Sequence, residues 1–327
     1  MNTVVVTGGT GYVGRHAVEE LHARGVAVVA VDIVSPQERG FSFSPGIDFR
    51  RCDLRIPAET RAALRGADAI LHLGADIGSL TYMHEHQADI LTNNAAIDAA
   101  LYPAAKEQGI PWIIYSSSSM VFQHPPQFPY REEDIARIHP PTNVYGFAKL
   151  IGEYFCRAYA AEHGLSYTIL RYHNIYGPGE NSKGATPGDI HVIPALIQKV
   201  LNGQYPLELL GNPEATRSFT YIDDAINFTA DIVLRALKKD ESVRNQDFNI
   251  GNDTFITILE LALMIWKECG DGRPFRYKEV GTKSDTALRR EVDITKIKKL
   301  GWRQNISLQE GLASVVSWMR AHQEKSI

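Results

Sequence analysis

Short β-branched runs alternate with longer amphipathic stretches through the first half of the chain. VVV (4–6), VAVVAVD (26–32), DFRR (48–51), DAILHL (68–73), WIIYS (112–116) and YTILRY (167–172) have the length and composition of buried strands. Between them lie helical patterns such as YVGRHAVEELHARG (12–25) and ADILTNNAAIDAALYPAAKEQG (88–109). Strand, helix, strand at this spacing predicts βαβ units and a parallel sheet covered on both faces.

After about residue 175 the pattern changes. GPGENSKGATPGD (177–189) reads as a loop. A helix over 191–202, a short strand LELL (207–210) and a helix over 224–238 capped by Asp223 follow. These predict a smaller α/β lobe over 176–327 beside a nucleotide-binding domain over 1–175, with a return to the sheet near 217–251 through FNIG (248–251).

Composition narrows the function classes. The 327 residues carry a net charge of -4, without the basic excess expected of a nucleic-acid binder. No apolar run approaches the ~18 residues of a membrane span. The first residues enter a strand directly, and the three cysteines are widely spaced with no CxxC. A reducing, cytoplasmic setting is therefore expected, without disulfides. His84 and His86 lack a third ligand at useful spacing, so no metal is expected.

TGGTGYVG (7–14) follows the first strand and opens the first helix. Gly8, Gly11 and Gly14 let the backbone turn tightly and approach a pyrophosphate at a helix N-terminus, a Rossmann-type arrangement. Asp32 ends the second strand, where a carboxylate accepts ribose hydroxyls and repels a 2′-phosphate, so NAD is expected rather than NADP. In YGFAK, Tyr145 and Lys149 stand four apart on one helix face. Bringing a phenol from ~10 to ~7 takes roughly 4 kcal/mol, which nearby cations can supply. Tyr145 would then serve as a base at neutral pH.

The loop spacing is GxxGxxG. With CDL (52–54), HLGA (72–75), NN (93–94), YGFAK, LRYHNIYGPG (170–179), RSFTYIDD (217–224), FNIG and DITKIKKLGW (293–302), the chain resembles the extended short-chain dehydrogenase/reductase family, in its NAD-dependent nucleotide-sugar epimerase/dehydratase branch. The resemblance runs from the first strand to about residue 315. It implies a cofactor site formed by Gly8, Gly11, Tyr12, Val13, Gly14, Asp32, Asp53, Leu54, Leu73, Gly74, Ala75, Asn94, Ser116, Tyr145, Lys149 and Tyr172. It implies catalysis by Ser118, Tyr145 and Lys149. For the nucleotide-diphosphate sugar it implies Ser118, Asn174, His191, Val192, Leu207, Leu209 and Arg217, with a second diphosphate cation left open among Lys283, Arg289 and Arg290. A homodimer through helices 88–108 and 145–163 is also implied.

The run YSSSSMVFQ (115–123) sharpens this. Relatives with dehydratase, decarboxylase or 3,5-epimerase activity carry an acid/base group at the position of Met120. A thioether moves no proton usefully. The resemblance therefore favours 4-epimerisation through a transient 4-keto sugar. ADIGS (75–79), HNIYGP (173–178) and Lys183 instead resemble GDP-mannose 3,5-epimerases, which keeps that alternative, or another nucleotide-sugar epimerase or oxidoreductase, open. A non-catalytic NAD-binding protein of the same fold is a third reading.

Overall fold

A computed structural model describes residues 2–78, 80–123, 125–180, 191–281 and 288–323. Seven strands form one parallel sheet: β1 (Thr3–Thr7), β2 (Ala27–Asp32), β3 (Asp48–Arg51), β4 (Ala69–His72), β5 (Trp112–Ser118), β6 (Ser166–Tyr172) and β7 (Gln246–Ile250). Their spatial order is β7-β6-β5-β4-β1-β2-β3. The order reverses between β1 and β4, which opens a crevice at the carboxyl ends of these strands. FNIG crosses back as expected: β7 pairs with β6 in register Phe248↔Leu170.

Alternation along each strand sends side chains to two cores. Val4 and Val6 pack with Ala17, Val18 and Leu21 of helix α1 (Tyr12–Ala23). Val5 packs on the opposite face with Leu101, Tyr102 and Cys156, from α2 (Gln87–Glu107) and α3 (Val144–His163). In α3 the inward stripe contains Tyr145, Ala148, Lys149, Gly152, Glu153 and Cys156. Three chemically active side chains thus occupy positions that helical periodicity assigns to the core. Asn143 caps this helix through the Gly146 N–H, and Gly164 ends it in the left-handed region.

Outside the seven-stranded sheet lie α4 (Val192–Leu201) and a parallel pair formed by Leu207–Leu210 and Tyr277–Val280. Thr216–Arg217 pairs with Ile256–Thr257 on one side and Arg289–Arg290 on the other. Helix α5 (Ile222–Leu237) is capped at Tyr221, not at Asp223 as expected. Asp223 and Asp224 instead fall in its first turn, where Asp224 accepts the N–H groups of Asn305 and Ile306. Among the described residues no helix is long and apolar enough to cross a membrane.

Candidate functional site

The glycine loop lies where β1 meets α1. Gly8 has φ +66°, and a Cβ there would lie 2.8 Å from the Gly74 nitrogen. A Cβ on Gly14 would lie 1.9 Å from the Gly8 carbonyl oxygen. At both positions backbone already stands where a side chain would go, so glycine lets the loop fold into a close, backbone-lined cradle. Gly11 begins the helix without a side-chain cap, leaving the helix N-terminus available to an anion. Asp32 braces the loop: its oxygens accept the N–H groups of Thr10 at 3.1 Å and Val34 at 3.2 Å. This cradle, with a carboxylate ending β2, fits the pyrophosphate and ribose of NAD.

Other predicted cofactor residues divide by what they touch. Leu54 is buried beneath Gly74, while Leu73 and Ala75 are partly exposed on the same strand end. Asn94 is saturated by its neighbours: it accepts the Asp76 N–H and donates to the carbonyls of Asp76 and Ile90. It therefore holds the turn after Gly74. Asp53 pairs with Arg55 at 2.7 Å. Val13 packs on the core, and the Tyr12 hydroxyl is buried without a hydrogen-bond partner. Tyr172 shares a 2.8 Å hydrogen bond with Thr229, which draws its hydroxyl toward α5.

Around the end of β5, Lys149 Nζ donates to the Ser116 carbonyl at 2.8 Å and sits 6.0 Å from the Tyr145 ring centre. Burial pushes the Tyr145 phenol above its ordinary value and pulls the Lys149 ammonium down to about 8. At neutral pH this leaves a phenol beside an ammonium. Tyr145 lies in the first turn of α3, where the helix dipole favours its anion. Ser118 is the last residue of β5 and is half-buried; its Oγ accepts the Met120 N–H at 3.2 Å.

The neighbouring Ser117 has a role the sequence does not announce. It donates at 2.7 Å to Glu153, a fully buried carboxylate gripped by Arg171 at 2.7 and 2.8 Å. Arg171 also reaches Asp247 on β7 at 2.6 Å. This network ties β5, α3, β6 and β7 together directly beneath Ser118. Arginine and carboxylates on separate elements give no local pattern that predicts it.

On the substrate side, Arg217 and Arg290 are register partners on adjacent strands. Arg217 is buried and its Nη1 donates to the Thr216 carbonyl at 2.7 Å; the Arg290 Nε is buried without a partner. Among the described residues, no carboxylate lies within ion-pair distance of either guanidinium. Burial and the adjacent Arg290 pull Arg217 down to about 9. Two uncompensated guanidiniums side by side make an anion site. Arg289 differs: it is exposed, pairs with Glu291 and covers the Phe128 ring at 4.5 Å. Lys283 and Lys183 lie outside the described residues.

Asn174 adopts φ +41° and donates to the Ser218 carbonyl at 2.8 Å. His191 caps α4, ahead of Val192, and its ring pairs with Glu180. Leu207 and Leu209 have both side chains fully buried in the core. Alternation turns Glu208 and Leu210 the other way, so Leu207 and Leu209 can meet a ligand only through their backbone. Among the described residues, no three His, Cys, Asp or Glu side chains cluster as metal ligands.

Comparison with known proteins places this geometry. The model of the NAD dependent epimerase/dehydratase family matches residues 4–251. The chain is 29% identical to a GDP-mannose 3,5-epimerase of Arabidopsis thaliana, covering 98% of this chain and 83% of that protein. It is 30% identical to a UDP-N-acetyl-alpha-D-glucosaminuronate decarboxylase of Bacillus cytotoxicus, over 97% of each. The solved UDP-glucose 4-epimerase of Thermotoga maritima, with UDP-glucose, superimposes with a TM-score of 0.84 at 26% identity, covering 98% of this chain and 99% of that one.

Proposed function

The chain belongs to the NAD dependent epimerase/dehydratase family, and we propose that within it the protein is a nucleotide-sugar 4-epimerase. The observation that carries this reading is the site around β5. Lys149 Nζ meets the Ser116 carbonyl two residues before Ser118 and lies beside the Tyr145 ring, while Met120 follows near Ser118 with no proton to give. The three cysteines are all buried, and Cys156 faces Tyr102 rather than the crevice, so no thiol stands in for the missing acid/base group.

The glycine cradle, Asp32 and Lys149 would hold NAD, which when bound takes a hydride from a sugar carbon and gives it back. With Lys149 and the positive nicotinamide of bound NAD holding it as the phenolate, Tyr145 takes the proton of the C4 hydroxyl, and Ser118 is hydrogen-bonded to the same oxygen. Lys149 must be protonated for this, because a buried phenolate without a cation is costly. With its value near 8, it is charged at pH 7. Arg217 and Arg290 would anchor the diphosphate and leave the sugar free to turn its other face.

The test is a panel of UDP-, GDP- and dTDP-sugars incubated with the NAD-loaded protein in deuterated water. Inversion at C4 without solvent deuterium on carbon is expected. Deuterium at C3 or C5 would replace this reading with 3,5-epimerisation, and stoichiometric NADH with net oxidation. Failure to change any sugar would remove the catalytic reading.

The outer faces of α2 and α3 also bear on assembly. Phe147 and Tyr154 stand exposed on α3, Tyr154 at 66%. We read this face as the seam of a C2 homodimer, to be checked by light scattering.

A further inference from the structure

We infer that Asp98 is a positioning residue for the proton pair, its buried carboxylate serving as the counter-charge that keeps the Lys149 ammonium charged and in place. The inference rests on the reading of Tyr145 and Lys149 given above and extends it to a residue on another helix. Asp98 lies on α2 and is almost wholly buried. Its Oδ1 is 3.1 Å from His72 Nε2, and His72 Nδ1 is 2.6 Å from the Thr7 hydroxyl. Thr7 Oγ1 accepts the Gly74 N–H at 3.1 Å and can still give or take a proton at His72, whereas a carboxylate can only accept. That assigns the ring proton to Nε2, where it is donated to Asp98. Burial lowers the His72 value, in keeping with a neutral ring.

Among the described residues, no Lys or Arg lies within ion-pair distance of Asp98, and no carboxylate within that distance of Lys149. Isolated buried charges are expensive, so each needs an opposite charge nearby. The packing supplies it. A Cβ on Gly152 would lie 2.0 Å from the Tyr115 hydroxyl and 2.8 Å from Asp98 Oδ2. Phenol and carboxylate therefore meet at one spot on α3, one turn beyond Lys149. Tyr115 bridges the gap: its hydroxyl donates to the Lys149 carbonyl at 3.4 Å, and its ring lies 5.0 Å from Lys149 Nζ.

The titratable groups around Lys149 are His72 on β4, Tyr115 on β5, Tyr145, Cys156 and Glu153 on its own helix, the last taken up by Arg171, and Asp98 on α2. Burial pushes the two phenols and the thiol up and the imidazole down, so all four are neutral at pH 7. Asp98 supplies the negative charge. Burial is the larger influence on Lys149, and Asp98 is the first of those opposing it.

The test uses Asp98→Asn, which still accepts the His72 proton but carries no charge. Lys149 is labelled with cyanate across pH 5–10 in the full chain without substrate, and the modified peptide is quantified by mass spectrometry. The wild-type midpoint is expected near 8. In the variant it should fall by about one pH unit or more, raising the free-amine fraction at pH 7 about fivefold. In the NAD-loaded enzyme, the alkaline limb of kcat should move down, narrowing the profile. Asp98→Glu should restore the midpoint. If Asp98→Asn does not fold, Asp98→Thr serves as the neutral variant. An unchanged midpoint in a neutral variant with wild-type melting and NAD binding would overturn the inference. Labelling needs no turnover, so an inactive wild type would count against the functional reading alone.

Discussion

Replacing Arg290 by Met should separate binding from stability in opposite directions. Arg217 and Arg290 face each other in register, no carboxylate among the described residues lies within ion-pair distance of either, and burial beside Arg290 already holds Arg217 down at about 9. Without an anion, each guanidinium raises the cost of the other. Removing one relieves that repulsion, and Met retains much of the apolar stem. The protein without ligand should therefore be as stable as wild type, or more stable by up to about 1 kcal/mol. Binding of a diphosphate should suffer. A hydrogen bond to a charged group contributes about 1.5–3 kcal/mol, which corresponds to roughly 13- to 160-fold in Kd. Calorimetric titration with UDP, GDP and dTDP measures the affinity, and urea unfolding without ligand measures the stability. Arg289→Met is the control. That side chain is exposed and already paired with Glu291, so its loss should change affinity less than about threefold. An Arg290→Met protein that binds all three diphosphates as wild type does would refute the anion-site argument. So would one that loses affinity only in proportion to a loss of stability above about 2 kcal/mol.

The remaining predictions concern the scaffold. Glu153→Gln leaves Arg171 buried with a single carboxylate and should cost about 3–5 kcal/mol in urea unfolding, whereas a cost below about 1 kcal/mol would show that the network contributes little. Burial alone would raise the Glu153 carboxyl, but Arg171 and Arg157 outweigh it and hold it below the usual range. Its contribution is therefore complete above about pH 4.3 and lost as pH falls through the depressed folded value, so the variant should show a shallower acid loss of stability. Gly14→Ala sets a Cβ against a backbone oxygen that cannot move aside, and should abolish the rise in melting temperature on adding NAD.

Much of this protein follows from local pattern. β-branched runs separated by amphipathic helices specify a parallel sheet, because only that arrangement buries both sets of apolar faces. The glycine spacing and Asp32 identify the dinucleotide cradle, and Tyr145 with Lys149 share a helix face because four residues is about one turn. These features lie within single segments, where period and spacing carry the information. Asp98 leaves a faint trace of this kind: with Ile90, Asn94 and Leu101 it falls on the inward stripe of α2. That spacing says the carboxylate is buried but not what it meets.

Contacts between distant segments were decided by the tertiary structure. Arg290 stands apart from Arg289 only because strand register sets it opposite Arg217. Leu207 and Leu209 offer a ligand only their backbone because the pleat turns their side chains to the core. Ser117 finds Glu153, and Asp98 comes to lie beyond Lys149, through helix-on-sheet packing that joins residues dozens of positions apart. The sequence alone thus determined the fold and marked the residues proposed for the cradle and the proton pair. Tertiary packing decided which charges surround them, since a buried charge is defined by what lies beside it in space.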